Sequence, residues 1–177
     1  MTDDATATLA AWRAREAEVK ARGSAAGVSI AERVAAAPGL AFFDAMLDGR
    51  IPHAPISDTL GFVLVEIAAG RAVFQGKPLF AHYNPVGSVH GGWIATLLDS
   101  ALACAVHSLL PSGRIYTTLE LKVNFVRPLT ERVPLVRAIG TSIHQGARIG
   151  TAEGRLVGPD ATLYAHASTT CLIMDAR

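Results

Sequence analysis

The chain has 177 residues, enough for one domain with a sizeable core and an appendage. Its formal net charge of +1 excludes the strongly basic surface typical of proteins that bind nucleic acid or acidic membranes. Hydrophobic residues make up 50% of the chain and charged residues 18%, which favours either a large core or an apolar surface covered in an oligomer.

The first part of the chain, residues 1–55, is Ala-rich with balanced charges, and we predict that it forms a helical N-terminal extension. Acidic residues open a first predicted helix over 3–20, and shorter helices are predicted over 31–36 and 40–47. A Pro-containing linker at 51–55 leads into the core domain. The acidic start does not resemble a signal peptide, so a cytoplasmic protein without a membrane segment is expected.

The core domain, residues 56–177, has the patterns of strands interrupted by one long helix. Apolar alternation and turn residues predict six strands, over 61–67, 71–75, 116–125, 134–142, 148–156 and 162–173. A long apolar segment between the second and third strands, residues 91–110, predicts the helix. This order fits an α+β fold in which a mostly antiparallel sheet curls around a central helix.

The predicted helix contains one acidic residue, Asp99, in a run that is apolar on every helical face. Such a run predicts a helix that is buried all round. An ionised carboxylate in that environment costs several kcal/mol unless it is paired or hydrogen-bonded, and no Lys or Arg lies within a turn or two. Asp99 is therefore a candidate for a chemical role.

Glycines at the predicted helix start suggest a place where the backbone contacts a ligand. Gly91 and Gly92 allow close approach, and the first N–H groups of a helix have no intrahelical acceptor. Those groups, aided by the helix dipole, can hold an oxyanion or polarise a carbonyl. An ordinary Gly-containing turn into a helix is the alternative interpretation. A phosphate-binding P-loop is excluded, since no Gly-Lys-Ser/Thr follows.

The spacing between these two features limits how they can act together. Eight residues at ~1.5 Å per residue separate Gly91 from Asp99 by ~12 Å along one helix. A water activated by the carboxylate and a carbonyl held by the amide must meet within a few ångströms. Two antiparallel copies of the helix satisfy this requirement, so an acyl-transfer site built from these groups must be shared across a two-fold dimer.

Three stretches of the chain resemble one known family. Residues 84–92 with Asp99, the strand that ends at 124–128, and the turn at 144–148 are similar to hotdog-fold acyl-CoA thioesterases of the PaaI type. The resemblance covers roughly residues 58–174. It implies a hotdog fold, hydrolysis of an acyl-CoA substrate, and a homodimer or homotetramer with shared active sites.

The resemblance also implies roles for individual residues. Gly91 is expected to offer the amide that polarises the thioester carbonyl, and Asp99 to act as general base or nucleophile. Asn84 and His90 are expected to orient the water or the thioester and to order the helix start.

The family's Ser/Thr that contacts the carboxylate or the water corresponds to Thr117 or Thr118. Strand alternation sends these two side chains to opposite faces, with Thr117 on the face of Leu119 and Leu121. Four further residues are candidates for contact with the substrate. Gly92 is a candidate through its place at the helix start, Trp93 for contact with the acyl group, and Arg127 and Arg148 for contact with the phosphates of CoA. Trp93 is equally compatible with a place in the core, and the arginines with a solvated strand edge.

Other chemistries are less well supported by the sequence. His107 lies two turns beyond Asp99 and is interpreted as a core histidine. Ser88 lacks the frame of a serine hydrolase, and Cys104 has no neighbouring base. No metal-ligand spacing is present, so neither a metal nor another cofactor is expected.

Two other functions remain possible from the sequence. A non-catalytic acyl-CoA-binding protein with the same fold would bind its ligand without turnover. A hydroxyacyl-thioester dehydratase would pair a histidine, for which His82 is available, with a carboxylate.

Overall fold

The computed structural model describes residues 3–176. The first two residues of the predicted extension and the last residue of the predicted core domain lie outside this range. Within it the chain forms α-helices with these bounds: α1 (Asp3–Arg22), α2 (Ala31–Ala35), α3 (Gly39–Leu47), α4 (Pro55–Leu60) and α5 (Gly91–His107).

The strands form one antiparallel sheet with α5 packed against it. Their bounds are β1 (Phe62–Ala68), β2 (Arg71–Gly76), β3 (Arg114–Phe125), β4 (Val136–Gln145), β5 (Ile149–Val157) and β6 (Leu163–Asp175). The order across the sheet is β1-β2-β4-β5-β6-β3, so α5 carries the chain from β2 to the far edge. The predicted α+β fold, an antiparallel sheet around a long helix with a helical N-terminal extension, is confirmed.

The core lies between α5 and the concave face of the sheet. Leu98, Ala101 and Leu102 of α5 are fully buried there. Two strand glycines permit the close approach of helix and sheet. A Cβ on Gly140 would lie 2.3 Å from the carbonyl oxygen of Ala101, and one on Gly154 would lie 2.5 Å from a methyl carbon of Leu102. Larger residues at these two positions would push α5 off the sheet.

Helix α1 covers the opposite, convex face of the sheet through buried polar groups. The Gln75 amide donates to the Trp12 carbonyl at 3.2 Å and to the Glu16 carboxylate at 2.7 Å. The Arg137 guanidinium lies 4.6 Å from the centroid of the Trp12 ring, and its Nη1 is 2.6 Å from Oε1 of Glu66. Because Gln75 and Arg137 are 1% and 8% exposed, these partners are needed to satisfy them.

The second part of the extension docks on the C-terminal end of α5. The N–H of Gly39, at the start of α3, donates to the Leu110 carbonyl at 2.9 Å. A Cβ on Gly39 would lie 1.9 Å from the His107 carbonyl oxygen, so this contact requires glycine. The Gly113 N–H donates to the Ala35 carbonyl at 2.8 Å and fastens α2 nearby. Helix α3 is therefore held directly against the end of α5.

Two details of the elements differ from the sequence-based prediction. Helix α4 was not predicted; it begins with Pro55 at its first position and ends at Gly61, whose φ of 66° is left-handed. Helix α5 ends at His107 rather than at 110, because the next residues form i→i+3 bonds, such as the Leu110 N–H to the His107 carbonyl. Strand ends differ by a few residues.

No helix among residues 3–176 is long and apolar enough to span a membrane. In the same part of the chain, no three His, Cys, Asp or Glu side chains are grouped so that they could hold a metal ion.

Candidate active site

Helix α5 is open along one face, so the prediction that it is buried all round is wrong. Its half-buried and exposed residues recur at helical spacing and define the open stripe: 91–92, 95–96 and 99–100. Most residues of the stripe are small, so the sequence pattern did not distinguish them from residues of a buried helix face. The Thr96 hydroxyl donates to the Gly92 carbonyl and the Ser100 hydroxyl to the Thr96 carbonyl, both at 2.9 Å. The carboxylate of Asp99 is the stripe's charged group.

The hydroxyl of Thr118, on strand β3, donates to Oδ1 of Asp99 at 3.1 Å. Thr117, the other candidate, is exposed on the opposite side of the strand. Of the two threonines that the sequence left open, the structure therefore brings Thr118 to the carboxylate.

A β-bulge explains why alternation misplaced these side chains. Thr118 pairs with Cys171 on β6, but the next pair is Glu120 with Thr170, which leaves Leu119 without a partner. Side chains before and after the bulge consequently follow different phases of the alternation. The predicted grouping of Thr117 and Leu119 with Leu121 is wrong, and Leu119 points outward with 58% of its surface exposed.

The environment of Asp99 favours its protonated form more than water does. Burial raises the pKa of Asp99 above its ordinary value, and the hydrogen bond from Thr118 opposes part of this rise. Desolvation acts on the charged carboxylate, whereas the hydroxyl stabilises it. A carboxylate with a raised pKa is a better proton acceptor than an ordinary surface aspartate.

The start of α5 presents one backbone N–H without an acceptor. His90 is the N-cap, and its Nδ1 accepts from the Gly92 N–H at 2.8 Å. The Gly91 N–H precedes the first intrahelical bonds and meets no acceptor within residues 3–176. The ring of Phe125 lies against Gly91, where a Cβ would come within 2.9 Å of it. Gly91 thus exposes its amide where any side chain would collide.

The loop before the helix is organised by Asn84. Its Oδ1 accepts from the Val86 N–H at 3.0 Å and from the Ser88 N–H at 3.3 Å. Its Nδ2 donates to the Ser88 hydroxyl at 3.0 Å. These bonds within the loop lead the chain towards the N-cap at His90.

The two halves of the candidate site do not meet within one chain. Gly91 and Asp99 lie on one uninterrupted helix, eight residues and therefore ~12 Å apart. The helix start supplies a hydrogen-bond donor but no proton acceptor, whereas Asp99 supplies a proton acceptor but no hydrogen-bond donor.

Asp99 lies in the wall of a cavity of about 1080 Å³. The wall combines the open side of α5 and the start of β3 with the N-terminal extension and with parts of α4, β1 and β2. Members of the wall from α5 and β3 are Asp99, Ser100, Ala103, Cys104, His107, Tyr116, Thr117 and Thr118. The extension contributes Val34, Phe42, Phe43 and Met46 among others.

Aromatic rings form the part of this wall around His107. The centroid of its ring lies 5.7 Å from that of Phe42, 5.1 Å from Phe43 and 5.1 Å from Tyr116. Burial lowers the pKa of His107 to about 4, so its ring is neutral near pH 7. The core position predicted for His107 is confirmed, but its part in the cavity wall was not foreseen. Burial likewise raises the pKa of Cys104 to about 12, which leaves an unreactive thiol.

Trp93 lies in the core and not in the cavity wall. It is 4% exposed, its Nε1 donates to the Leu60 carbonyl at 2.8 Å, and its ring stacks on His82 at 4.9 Å. The His82 Nδ1 accepts from the Leu79 N–H at 3.2 Å. His82 is thus held beside the start of α5.

The two candidate arginines are exposed but far apart. Arg127 follows the C-terminal end of β3, whereas Arg148 precedes β5. The first residue of β5, Ile149, pairs with Leu172, which in turn pairs with Thr117 near the start of β3. At ~3.3 Å per residue the two arginines are ~30 Å apart along the strands. Within one chain they cannot hold the same phosphate, and Arg127 is the one near the start of α5.

Three comparisons with known proteins identify the family of this chain. Residues 86–165 match the family model described as the thioesterase superfamily. A predicted esterase from Halobacterium salinarum is 38% identical over 88 residues, covering 49% of this chain and 56% of that protein. The chain thus spans little more than half the length of that curated relative.

A 1,4-dihydroxy-2-naphthoyl-CoA hydrolase from Listeria monocytogenes is 26% identical over 91 residues, which cover 51% of this chain and 72% of the relative. The crystal structure of a phenylacetic acid degradation-related protein from Ralstonia eutropha JMP134 superposes with a TM-score of 0.67 at 32% identity. That match covers 73% of this chain and 98% of the other. The chain belongs to the thioesterase superfamily of hotdog-fold proteins.

Proposed function

We propose that this protein hydrolyses an acyl-CoA thioester to a free acid and CoA in active sites shared between two subunits. The observation that carries the proposal is the position of Asp99, half-buried in the wall of a large cavity, where Thr118 is its hydrogen-bond donor. Among residues 3–176 no Lys or Arg is paired with this carboxylate, so a structural ion pair does not explain its place.

The open stripe of α5 supports a second subunit. If two copies place these stripes together in antiparallel fashion, the Gly91 amide of each meets the Asp99 of the other. Strand β3 forms an edge of the sheet, and Leu119, Phe125 and Val126 are more than half exposed along it. An edge strand with apolar side chains favours pairing with another chain. The proposed assembly is a cytoplasmic homodimer or homotetramer.

In the proposed reaction the thioester carbonyl oxygen accepts a hydrogen bond from the Gly91 N–H. Asp99 of the other subunit removes a proton from water, which attacks the carbonyl carbon, or the carboxylate attacks that carbon itself. The oxyanion is stabilised by the amide and the helix dipole. The carbon–sulfur bond then breaks, and the thiolate of CoA takes up a proton. In the route through direct attack this leaves a mixed anhydride with Asp99, which water then hydrolyses to release the free acid and restore the carboxylate. Thr118 keeps the carboxylate oriented throughout.

The remaining candidates have supporting roles in this proposal. His90 and Asn84 hold the helix start so that the Gly91 amide points to the substrate, while Gly92 serves the N-cap. Arg127, near that helix start, is suited to a phosphate of CoA. The name of the Listeria relative, a hydrolase of a CoA thioester, supports CoA as the thiol.

The first experiment measures thiol release from aromatic and aliphatic acyl-CoAs by the wild type and by Asp99→Asn. We expect turnover by the wild type and a loss of about 10²- to 10⁴-fold in the variant, the range of general acid–base catalysis. Ser100→Ala is the matched control, because its hydroxyl bonds only to its own helix.

Undiminished hydrolysis by a folded Asp99→Asn variant would contradict the mechanism. Tight acyl-CoA binding by the wild type without any thiol release would contradict the proposed activity and favour a binding protein.

A further inference from the structure

The cavity that contains Asp99 is closed by the N-terminal extension of the same chain. Phe42, Phe43 and Met46 of α3 and Val34 of α2 lie in its wall opposite α5. The match to the thioesterase superfamily model begins at residue 86, so these side chains lie outside the segment that the family model describes. The far wall of the cavity is supplied by the extension and not by the segment that matches the family model.

The depth of the cavity follows from helix α5. Asp99 and His107 both lie in the wall, eight residues and so ~12 Å apart along the axis. An extended chain of single bonds zigzags and advances only ~1.2 Å per bond, so this distance corresponds to roughly ten bonds. The rings of Phe42 and His107 stand at the far end, 5.7 Å apart.

The charges in the wall leave the interior suited to an uncharged chain. Lys20 is paired with Glu16, and His53 lies 2.8 Å from Asp58. Asp99 is the carboxylate in this wall that has no cationic partner among the described residues. The rings of Phe42 and His107 present no charge, because the histidine is neutral.

The far wall is firmly positioned. Gly39 allows α3 to approach the His107 carbonyl oxygen so closely that a Cβ would lie 1.9 Å from it. The hydrogen bond from Gly39 to Leu110 fixes the same contact. Phe42 follows within one turn of this anchor, so its ring is held at the end of the cavity rather than being free to move with a loose segment.

We infer that the N-terminal extension determines which acyl groups this protein accepts, with Phe42 and Met46 as specificity-determining residues for an uncharged acyl chain of medium length. This inference rests on the proposed thioesterase function. A shorter chain leaves apolar wall unfilled, and a longer one meets the rings of Phe42 and His107.

The test compares kcat/KM for saturated acyl-CoAs from butanoyl to tetradecanoyl. We expect a wild-type optimum near decanoyl. Phe42→Ala extends the cavity and should raise the preference for tetradecanoyl over decanoyl by roughly tenfold, the effect of one or a few methylenes in an apolar pocket. Met46→Trp fills the cavity and should move the optimum towards butanoyl.

Leu40→Ala is the matched control, since Leu40 is half-buried on the same helix but lies outside the cavity wall. It should leave the chain-length profile unchanged. Thermal melting identifies variants that fail to fold. Phe42→Ala and Met46→Trp are expected to shift the chain-length optimum in opposite directions, so each variant tests the inference by itself. Profiles of folded Phe42→Ala and Met46→Trp that keep the wild-type shape would overturn the inference.

A separate measurement distinguishes this failure from that of the thioesterase proposal. Calorimetric titration of Asp99→Asn with the same acyl-CoAs, with and without Phe42→Ala, reports chain-length preference without turnover. Should the wild type hydrolyse none of the substrates, a Kd profile that shifts with Phe42→Ala would still support the extension as the specificity element. An unshifted profile would overturn that assignment.

Discussion

The start and the middle of helix α5 carry opposite chemistry on the same open stripe. At the start, glycines expose a backbone N–H at the positive end of the helix dipole, and His90 uses a side chain to cap the neighbouring amide. Two turns on, Asp99 offers a carboxylate whose pKa is raised by burial. One region donates hydrogen bonds to negative charge, and the other accepts protons.

In the proposed mechanism, this difference means that a single chain contains the parts of a hydrolytic site but not the complete site. The ~12 Å between the two regions is set by the helix and cannot be shortened by side-chain motion. Assembly of two copies would therefore be a chemical requirement and not merely a source of stability.

Mixing two inactive variants tests the sharing of sites with the largest expected effect. Asp99→Asn removes the carboxylate, and Gly91→Pro removes the backbone N–H at the first position of α5, where proline is compatible with the helix. After the two variants are unfolded and refolded together, half of the dimers are hybrids with one intact site each. Thiol release should then recover from near zero to roughly a quarter of the wild-type rate.

Each variant refolded alone is the control for that mixture. Sites formed within one chain would give no recovery, and that result would remove the two-subunit arrangement. Size-exclusion chromatography of the mixture checks that dimers are present.

A smaller effect is expected when the hydrogen bond to the carboxylate is removed. Thr118 stabilises ionised Asp99, so its loss raises the pKa of Asp99 further. Since the active form is the carboxylate, hydrolysis is lost as the pH is lowered through the pKa of Asp99. For Thr118→Val this loss should occur at a higher pH than for the wild type. The measurement is kcat/KM against pH, with several-fold lower values at mildly acidic pH and a smaller loss at alkaline pH.

Thr117→Val provides the comparison, because Thr117 also borders the cavity but its exposed side chain makes no hydrogen bond to Asp99. Its acid limb should coincide with that of the wild type. An acid limb of Thr118→Val at the wild-type position would show that this hydroxyl does not tune Asp99.

The smallest effect concerns the helix start alone. His90→Ala leaves the Gly92 N–H without its cap and should lower the free energy of unfolding by about 1 kcal/mol, as for other lost N-caps. Denaturant titration measures this change. His90→Asn, which can also accept from the helix start, should restore most of it; equal losses in both variants would argue against a capping role.

The architecture was predictable because it depends on patterns that extend over many residues. Alternation and turns located the strands, and the continuous apolar run located α5. Asp99 and Gly91 stood out because each is an unusual residue type for its predicted position. Helix α4 was missed because six residues are too few to show a period.

Features that depend on one residue or on distant contacts were not predictable. The bulge at Leu119 changes the face of Thr118 without any signal in an alternating strand. The residues of the open stripe are mostly small, and in the sequence they resemble residues of a buried helix face. Nothing near Phe42 indicates that it meets His107, because that contact depends on how Gly39 docks after the whole domain has folded.

The polar contacts that hold α1 on the convex face also have a consequence for the synthesis of the chain. This helix leaves the ribosome before its partners exist: Arg15 bonds to the Val65 carbonyl, 50 residues on, and Trp12 accepts from Gln75, 63 residues on. Arg137, which covers the Trp12 ring, is made later still. Until those partners are synthesised, the side chains that α1 buries, Leu9 and Val19 among them, remain exposed to water, so α1 takes its place only after most of the sheet has been made.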